Sequence, residues 1–134
     1  MVILIAGYDT TATTLSWVCY ELAKNPEVQD KLRQEVDDIV EQSDADDLNY
    51  DEVQKMPYMD QVFCESLRLH TPIPMLQRST LKEYTFSAHN LTIKPGVPVW
   101  VNIPAIHMDP KHYKKPKVYD PEHFSKEAKA ERNP

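Results

Sequence analysis

Two side chains of opposite charge stand three residues apart in the run "FCESLRLH" at residues 63–70. In the helix that this run predicts, Glu65 and Arg68 lie near each other at the border of an apolar arc. As an exposed pair they would stabilise the helix by about 0.2–0.5 kcal/mol. As a buried pair they would belong to the scaffold, because removing one partner of a buried pair costs about 3–5 kcal/mol. The helix alone leaves both interpretations open.

The composition of the 134-residue chain argues against several other kinds of chemistry. The formal charge is −6, and nine acidic residues with no Lys or Arg lie from Glu35 to Glu52, which favours a solvated helix end and loop over nucleic-acid binding. Cys19 and Cys64 are too few for a disulfide framework, and the five His are scattered, so no metal site is predicted. The apolar start is six residues long, far short of the roughly 20 that span a bilayer.

The first half of the chain predicts helices. Residues 1–24 hold no Pro and predict one helix, after which Asn25 caps a second helix that has Pro26 at its first position. The "SDADD" at 43–47 is predicted to be the loop that follows the second helix. A narrow apolar stripe runs along this second, otherwise charged helix, at Val28, Leu32, Val36, Ile39 and Val40.

Two further helices are predicted after the loop. Asn49 caps a short helix that continues to about Lys55. Pro57 opens a longer helix, which ends near His70 because Pro72 cannot continue it. This longer helix carries the charged pair.

After this helix, the spacing of the apolar residues changes from the helical period to the period of two that is typical of strands. Residues 83–86, 91–93 and 97–101 predict short strands around a "KPG" turn. Pro98 confines its strand to a sheet edge or a bulge. From Ile103 onward, recurring Pro predict coil with no regular structure beyond short turns.

The order of these elements predicts a mainly α protein with a small antiparallel β region, an α+β fold. We expect a helical part at 1–74, a small β part at 75–102 and coil at 103–134. No internal repeat interrupts this order.

The motifs around the charged pair resemble the cytochrome P450 family, the haem-thiolate monooxygenases. "ESLRLHTPIP" resembles the ExxR helix of that family, and "LNYDEVQKMPYMDQVFCESLRL" resembles the approach to it. "AGYDTT" is similar to the oxygen-binding segment, "MLQRST" to a strand that carries a haem-propionate Arg, and "YDPEHF" to the PERF-type segment. Their order and spacing follow the family over essentially the whole chain, and the wording is closest to animal microsomal members that detoxify foreign compounds. The fold that this implies is the C-terminal half of the cytochrome P450 domain.

The resemblance implies oxygen chemistry on the first helix. Ala6 and Gly7 match the oxygen-binding segment, in which Gly leaves room beside a haem. Asp9 and Thr10 match the catalytic pair that relays protons, which requires hydrogen-bond reach, directly or through water. Thr10 would also lie against the haem. Taken alone, the Thr-rich run favours another interpretation, in which the hydroxyls donate to helix carbonyls one turn earlier.

Other positions match contacts to the cofactor and the substrate. Arg78 matches the arginine that binds a haem propionate, a role suited to its fork of donors. The alternative for Arg78 is an exposed arginine at a strand end. By analogy with the family, Ile5 and Tyr8 would touch the substrate. The implied cofactor is haem, iron-protoporphyrin IX.

The resemblance also implies that the charged pair belongs to a structural network beneath the haem, and not to the catalytic groups. Glu65 and Arg68 match two of its members. The third member in the family is the Arg of the PERF-type motif, and His123 holds that position here. Imidazole has only two ring nitrogens. His123 therefore either completes the network with a weaker, pH-sensitive contact or simply hydrogen-bonds a carbonyl.

The iron ligand of the family has no counterpart in these residues. That ligand is a Cys in a Gly-rich loop after the PERF-type segment, whereas no Gly follows Gly96 and neither Cys follows Phe124. We therefore expect a piece of a monooxygenase, cut from a longer protein and inactive by itself. A truncated, non-enzymatic product that acts as a helical binding module is the alternative, and a haem-binding domain without redox catalysis is a third possibility.

The implied partners are a reductase that passes on electrons from NADPH and an apolar small-molecule substrate, whose identity the sequence does not reveal. No nucleic acid is expected. The basic run "KHYKKPK" at 111–117 either contributes to reductase docking or is a solvated loop. The implied location is the cytoplasmic face of the endoplasmic reticulum membrane, through an anchor outside these residues.

Overall fold

The computed structural model describes residues 2–43 and 48–132, with side chains from Ala6 onward, so positions 44–47 of the predicted loop lie outside the described residues. The α-helices in chain order are α1 (Val2–Lys24), α2 (Pro26–Gln42), α3 (Tyr50–Val53), α4 (Pro57–Leu69), α5 (Ile103–His107) and α6 (Lys126–Arg132). The strands are β1 (Met75–Ser79), β2 (Tyr84–Phe86), β3 (Leu91–Ile93) and β4 (Pro98–Asn102). Short 3₁₀ turns form at Ser87–His89 and Pro121–Phe124.

The junction of the first two helices lies where the sequence predicts it, but its capping contact differs. α1 ends at Lys24 and α2 begins at Pro26. The Asn25 side chain makes no cap to α2, and its Nδ2 donates instead to the Glu21 carbonyl at 2.8 Å. Asn25 is the N-cap residue of α2, as predicted, but the usual side-chain capping hydrogen bond is not formed. The carbonyls of the last turn of a helix lack intrahelical partners, and Asn25 supplies a donor to one of them.

The predicted helices α3 and α4 are confirmed, and each has a carboxylate at its start. In α3, Asn49 and Glu52 form a reciprocal capping box, in which Glu52 Oε2 accepts from Asn49 N at 2.8 Å. This backbone hydrogen bond lowers the pKa of Glu52. The start of α4 is capped from another helix, since the carboxylate of Glu35 on α2 accepts from Tyr58 N and Met59 N, each at 2.8 Å. α2 thus fixes the position of α4.

The described β region consists of two antiparallel ribbons of two strands each. β1 pairs with β4, with Arg78 opposite Val99, and β2 pairs with β3, with Thr85 opposite Thr92. The three strands predicted from their period are confirmed, whereas β1 was indicated by the resemblance alone. The predicted turn contains Gly96 at φ +80° and joins β3 to β4, which pair with different partners.

The prediction of coil throughout 103–134 was wrong for α5 and α6. Asn102 Oδ1 accepts from Ala105 N at 3.1 Å and caps the start of α5, and Pro104 lies in the first turn, where a missing N–H leaves no helical bond unmade. The hydroxyl of Ser125 caps α6 in the same way. Two of the prolines that were interpreted as helix breakers, Pro104 and Pro121, thus stand at positions that start helical turns.

The described helices pack around a small core. Val18 of α1 lies against Tyr58 and Val62 of α4. The 3₁₀ turn at Pro121–Phe124 packs against α4 from another direction. Partly buried apolar side chains complete the core, namely Leu22, Val28, Leu32 and Phe63. The predicted fold class, mainly α with a small antiparallel β region, is confirmed. Among the described helices, none combines the length and the apolar character needed to cross a bilayer.

Candidate functional site

Glu65 and Arg68 form a buried, bidentate ion pair on α4. Arg68 Nε donates to Glu65 Oε2 and Arg68 Nη2 donates to Glu65 Oε1, both at 2.7 Å. Glu65 is 0% exposed and Arg68 is 1% exposed. Two parallel N–H···O bonds between a guanidinium and a carboxylate are the strongest form of charge-assisted pairing. The interpretation as an exposed surface pair is therefore wrong.

The other donors of Arg68 reach carbonyl oxygens from the segment after the sheet. Arg68 Nη1 donates to the His107 carbonyl at 2.8 Å and to the Pro116 carbonyl at 2.7 Å. Arg68 Nη2 also donates to the Val118 carbonyl at 3.2 Å. With the two bonds to Glu65, all five N–H groups of the guanidinium have acceptors. Such complete pairing offsets the high cost of removing a charge from water.

His123 approaches the carboxylate from the 3₁₀ turn. Glu65 Oε1 accepts from Asp120 N at 2.9 Å and lies 3.1 Å from His123 Nδ1. His123 Nε2 faces the carbonyl of Lys114. His123 thus makes both of the contacts that the sequence left open, since one ring nitrogen meets Glu65 and the other a backbone carbonyl. Both partners are acceptors, so an imidazole with two protons satisfies them together. We refer to Glu65, Arg68 and His123 as the buried network.

The sequence interpretation missed Tyr113, whose ring covers the buried network. The ring centroid lies 4.9 Å from Arg68 Cζ and 4.5 Å from Arg132 Cζ. An edge-on contact joins it to His123, with the ring centroids 5.7 Å apart. Stacking between an aromatic face and a guanidinium is favourable. The signal in the sequence was an aromatic residue inside a basic run, which we interpreted as a solvated loop or docking surface.

Tyr119, also missed, ties the segment before the 3₁₀ turn to α4. Its hydroxyl lies 3.0 Å from Ser66 Oγ and donates to the Val62 carbonyl at 3.2 Å. Burial, with the charge of Glu65 adding to it, raises the pKa of Tyr119 to about 12. The hydroxyl therefore stays neutral at physiological pH and serves as a hydrogen-bonding group.

The residues assigned to oxygen chemistry lie on the first turns of α1. Thr10 Oγ1 donates to the Ala6 carbonyl at 2.6 Å, and Thr11 Oγ1 donates to the Gly7 carbonyl at 2.8 Å, so the hydroxyls donate one turn back in this structure. Asp9 is exposed. A Cβ added to Gly7 would meet no atom within 4 Å. Within the described residues, no hydrogen bond or ion pair joins these side chains to the buried network.

Of the residues assigned to cofactor and substrate contacts, Arg78 and Tyr8 are exposed and Thr10 is half-buried. Arg78 lies on β1, and its Nη1 donates to the adjacent Gln77 carbonyl at 2.8 Å. Its other N–H groups have no partner among residues 2–43 and 48–132, so they are available to a ligand. Tyr8 is 74% exposed. The side chain of Ile5 lies outside the described residues.

The two cysteines lie apart on different helices. Cys19 on α1 is exposed, and Cys64 on α4 is half-buried with its Sγ 3.8 Å from Asp60 Oδ1. Burial, with the charge of Asp60 adding to it, raises the pKa of the Cys64 thiol. Over the described ranges, no three His, Cys, Asp or Glu side chains gather closely enough to hold a metal ion.

Comparison with known protein families matches residues 1–134 to the model described as Cytochrome P450. The chain belongs to the cytochrome P450 family.

Relatives of this P450 chain come from several insects. It is 42% identical over 134 residues to probable cytochrome P450 6a13 of Drosophila melanogaster, covering 100% of this chain and 27% of that protein. It is 42% identical over 125 residues to cytochrome P450 9e2 of Blattella germanica, covering 92% and 23%. It is 37% identical over 133 residues to cytochrome P450 6B2 of Helicoverpa armigera, covering 99% and 26%. The chain spans about a quarter of the length of the curated relatives it matches.

The basic run at 111–117 lies on the surface of this P450 chain. Lys111, Lys115 and Lys117 are exposed. Lys114 Nζ lies 3.7 Å from Glu131 Oε2, and both of these side chains are largely solvated. An exposed pair of this kind contributes little to stability. The run is therefore held in place by the Tyr113 ring and by its backbone carbonyls, which contact Arg68 and His123, and its lysine charges contribute little.

Proposed function

We propose that this P450 chain is part of a haem-dependent monooxygenase, which inserts one atom of dioxygen into an apolar organic substrate. Its electrons come from NADPH through a reductase. The observation that carries this proposal is the match of all 134 residues to the P450 family. The buried network supports it further, because a fully hydrogen-bonded polar cluster at this depth suits a rigid scaffold for a cofactor.

Arg78 and Gly7 fit a haem. The exposed guanidinium of Arg78 uses one nitrogen on the Gln77 carbonyl and keeps further donors for a carboxylate such as a propionate. Open space where a Gly7 side chain would stand lets a flat group approach the backbone of α1. When bound, haem supplies the electron transfer and oxygen activation of such an enzyme.

Asp9 and Thr10 form a proton relay in this proposal. Thr10 gives its single hydroxyl hydrogen to the Ala6 carbonyl, and Oγ1 keeps lone pairs that can accept another hydrogen bond. Asp9, the preceding residue, has an exposed carboxylate that solvent can reach. Rotation of the Thr10 hydroxyl away from Ala6 would pass a hydrogen bond outward from α1, which is the geometry that a proton relay requires.

The buried network acts as scaffold in this proposal, because Glu65 and Arg68 are closed to solvent and to ligands. The iron ligand is a Cys outside these residues. Cys64 is unsuited to that role, since burial raises its pKa and a protonated thiol is a poor ligand. The exposed run at 111–117 contributes to reductase docking.

The substrate side of the proposal rests on Ile5 and Tyr8, of which Tyr8 offers an exposed aromatic face. An apolar compound would bury that face on binding. The protein would lie on the endoplasmic reticulum membrane, the location that the resemblance to animal microsomal P450s implies.

Expression of the complete coding sequence that contains these residues tests the proposal. We expect Soret absorbance with a thiolate signature, and NADPH-dependent oxygenation of apolar compounds when a reductase is added. Thr10→Ala should lower the fraction of electrons recovered as product. Thr11→Ala is the matched control, since it removes a neighbouring hydroxyl with the same backbone contact.

Two results would contradict the proposal. Soret absorbance without the thiolate signature would indicate a haem-binding protein without this chemistry. A reading frame that stops directly after residue 134, with a product that binds no haem, would indicate a non-enzymatic protein.

A further inference from the structure

His70 makes two close contacts with α1 that the proposed function does not use. Its imidazole lies parallel to the indole of Trp17, with ring centroids 3.9 Å apart and an interplanar angle of 0°. Its Nε2 lies 2.6 Å from Glu21 Oε1. One ring thus meets an aromatic face and a carboxylate of the same helix. An imidazole that carries two protons can use both contacts, through cation–π attraction to the indole and a charge-assisted hydrogen bond to the carboxylate.

Glu21 needs such a partner because it is buried, with 4% of its surface exposed. Its other oxygen, Oε2, accepts from Asn25 Nδ2 at 3.3 Å, which is a weak bond. A buried carboxylate without a cation nearby is costly. Among the described residues, the structure places His70 within ion-pair distance of this carboxylate, and the imidazole is a cation when it is protonated.

The charged and titratable groups near His70 leave Glu21 as its direct ionic contact. On α1, the Tyr20 ring meets the imidazole edge-on at 6.3 Å, and Lys24 Nζ lies over that ring, 5.0 Å from its centroid. Tyr119 lies close enough to feel the charge of Glu21, but burial raises its pKa to about 12 and keeps it neutral. On α4, Glu65 and Arg68 are paired with each other.

The position of His70 in the chain gives these contacts a consequence. His70 follows the last residue of α4, where its N–H bonds to the Ser66 carbonyl at 2.9 Å. The chain then turns through 71–74 into β1, which carries Arg78. Gly7, Asp9 and Thr10 lie earlier on the helix that His70 contacts. A contact at His70 therefore fixes the turn before β1 relative to α1.

We propose that His70 is a positioning residue, whose imidazolium clamps the turn between α4 and β1 onto Trp17 and Glu21 of α1. We further assign to this clamp the role of fixing the position of Arg78 relative to Thr10. That role rests on the proposed function, whereas the clamp itself does not. The charge-assisted form of the contact between His70 and Glu21 needs a protonated imidazole, so acid favours the clamp.

Fluorescence of Trp17 tests the clamp directly in the 134-residue chain. An imidazolium in contact with an indole quenches its emission more strongly than a neutral imidazole does. In a Trp100→Phe background, Trp17 is the single Trp of the chain. We expect its emission to rise between about pH 5.5 and about pH 8.5. The same background with His70→Gln should lose this rise, and with His112→Gln, which changes an exposed His, should keep it.

Urea unfolding provides a second measurement that quenching by other groups does not affect. We expect the unfolding midpoint of the chain to exceed that of His70→Gln at about pH 5.5 and to approach it at about pH 8.5. Glu21→Gln should reduce the same difference, and adding His70→Gln to it should then cost little more.

Either of two results overturns the clamp. One is a Trp17 emission that changes with pH in the same way with and without His70, or a change with pH that is the same for the folded chain in buffer and for the unfolded chain in urea. The other is a stability difference between the chain and His70→Gln that is unchanged by pH.

The complete protein tests the positioning role separately. With haem bound, His70→Gln should keep its haem but recover a smaller share of electrons as product at low pH, and should match the unchanged protein at about pH 8.5. An equal share at every pH, or loss of haem in the variant, overturns the positioning role. If the complete protein without any substitution bound no haem, the proposed function would be refuted. The fluorescence and urea measurements on the chain would still test the clamp.

Discussion

Arg68 uses every hydrogen-bond donor of its side chain inside the protein. Two of its bonds go to Glu65 and three go to carbonyls of the segment after the sheet. A buried ion pair with unpaired groups would destabilise the fold, so the three carbonyls matter as much as the carboxylate. The function of this residue is therefore to join α4 to a distant stretch of chain.

Replacement of Arg68 by Lys separates charge from geometry. Arg68→Lys keeps the positive charge but offers three donors from one point, which cannot serve two carboxylate oxygens and three carbonyls together. We expect a loss of about 1–3 kcal/mol in the free energy of unfolding, measured with urea. Arg33→Lys is the control, because the exposed pair of Arg33 with Asp30 should contribute less than about 0.5 kcal/mol. An equal loss in the free energy of unfolding for the two substitutions would show that the planar arrangement of donors on Arg68 is not important.

His123 should matter less than Arg68, even though it belongs to the same network. His123→Ala removes one donor from Glu65 Oε1, which keeps the donors of Arg68 and Asp120. We expect a loss of about 1–3 kcal/mol, against about 3–5 kcal/mol for Arg68→Ala. Urea unfolding measures both, with the exposed His112→Ala as control. A loss for His123→Ala as large as that for Arg68→Ala would show that the imidazole is the principal counter-charge.

At the scale of elements, the start of α4 depends on a side chain from α2. Glu35→Ala removes the acceptor of both the Tyr58 and Met59 N–H groups, and Met56 at the cap position offers no side-chain bond. We expect a loss of about 0.5–2 kcal/mol, the usual range for a cap. The control is Glu41→Ala, an exposed substitution on the same helix. A neutral result for Glu35→Ala, by urea unfolding, would contradict the capping role.

Elements whose signals are local could be predicted from the sequence. α1, α3 and α4 follow from apolar spacing, caps and Pro at the first helical position. The order of the motifs along the chain indicated the family. α5 and α6 could not be predicted in this way, because Pro104 suits the first turn of a helix as well as a turn without a helix. The cap of α4 by Glu35 could not be predicted either, since Glu35 lies 23 residues before Tyr58 and 24 residues before Met59.

At the scale of the whole molecule, the contacts that define the buried network join distant parts of the sequence. The carbonyl acceptors of Arg68 lie 39, 48 and 50 residues away, and His123 lies 58 residues from Glu65. A local pattern carries no information about such contacts, so the sequence alone left the pair undecided between surface and interior. The family resemblance decided in favour of the interior because it places the PERF-type segment next to the ExxR helix.

The described chain also leaves much apolar surface open. Leu81 is 91% exposed, and Trp100 is 56% exposed on β4. Two-stranded ribbons need a packed face for independent stability. The helices, by contrast, share buried contacts. We therefore assign the stability of this chain to the packing of α1, α2 and α4 and to the segment that the buried network holds against α4.

The haem content of a Glu65→Ala variant of the complete protein tests the central claim most directly, namely that a buried network supports a haem site. Removing Glu65 leaves the Arg68 guanidinium buried without its counter-charge, and we expect the variant to lose stable haem incorporation, measured by Soret absorbance per protein. Glu127→Ala, an exposed substitution on α6, should keep normal haem content. Normal haem content in Glu65→Ala would contradict the claim and show that the network is not needed for the haem site.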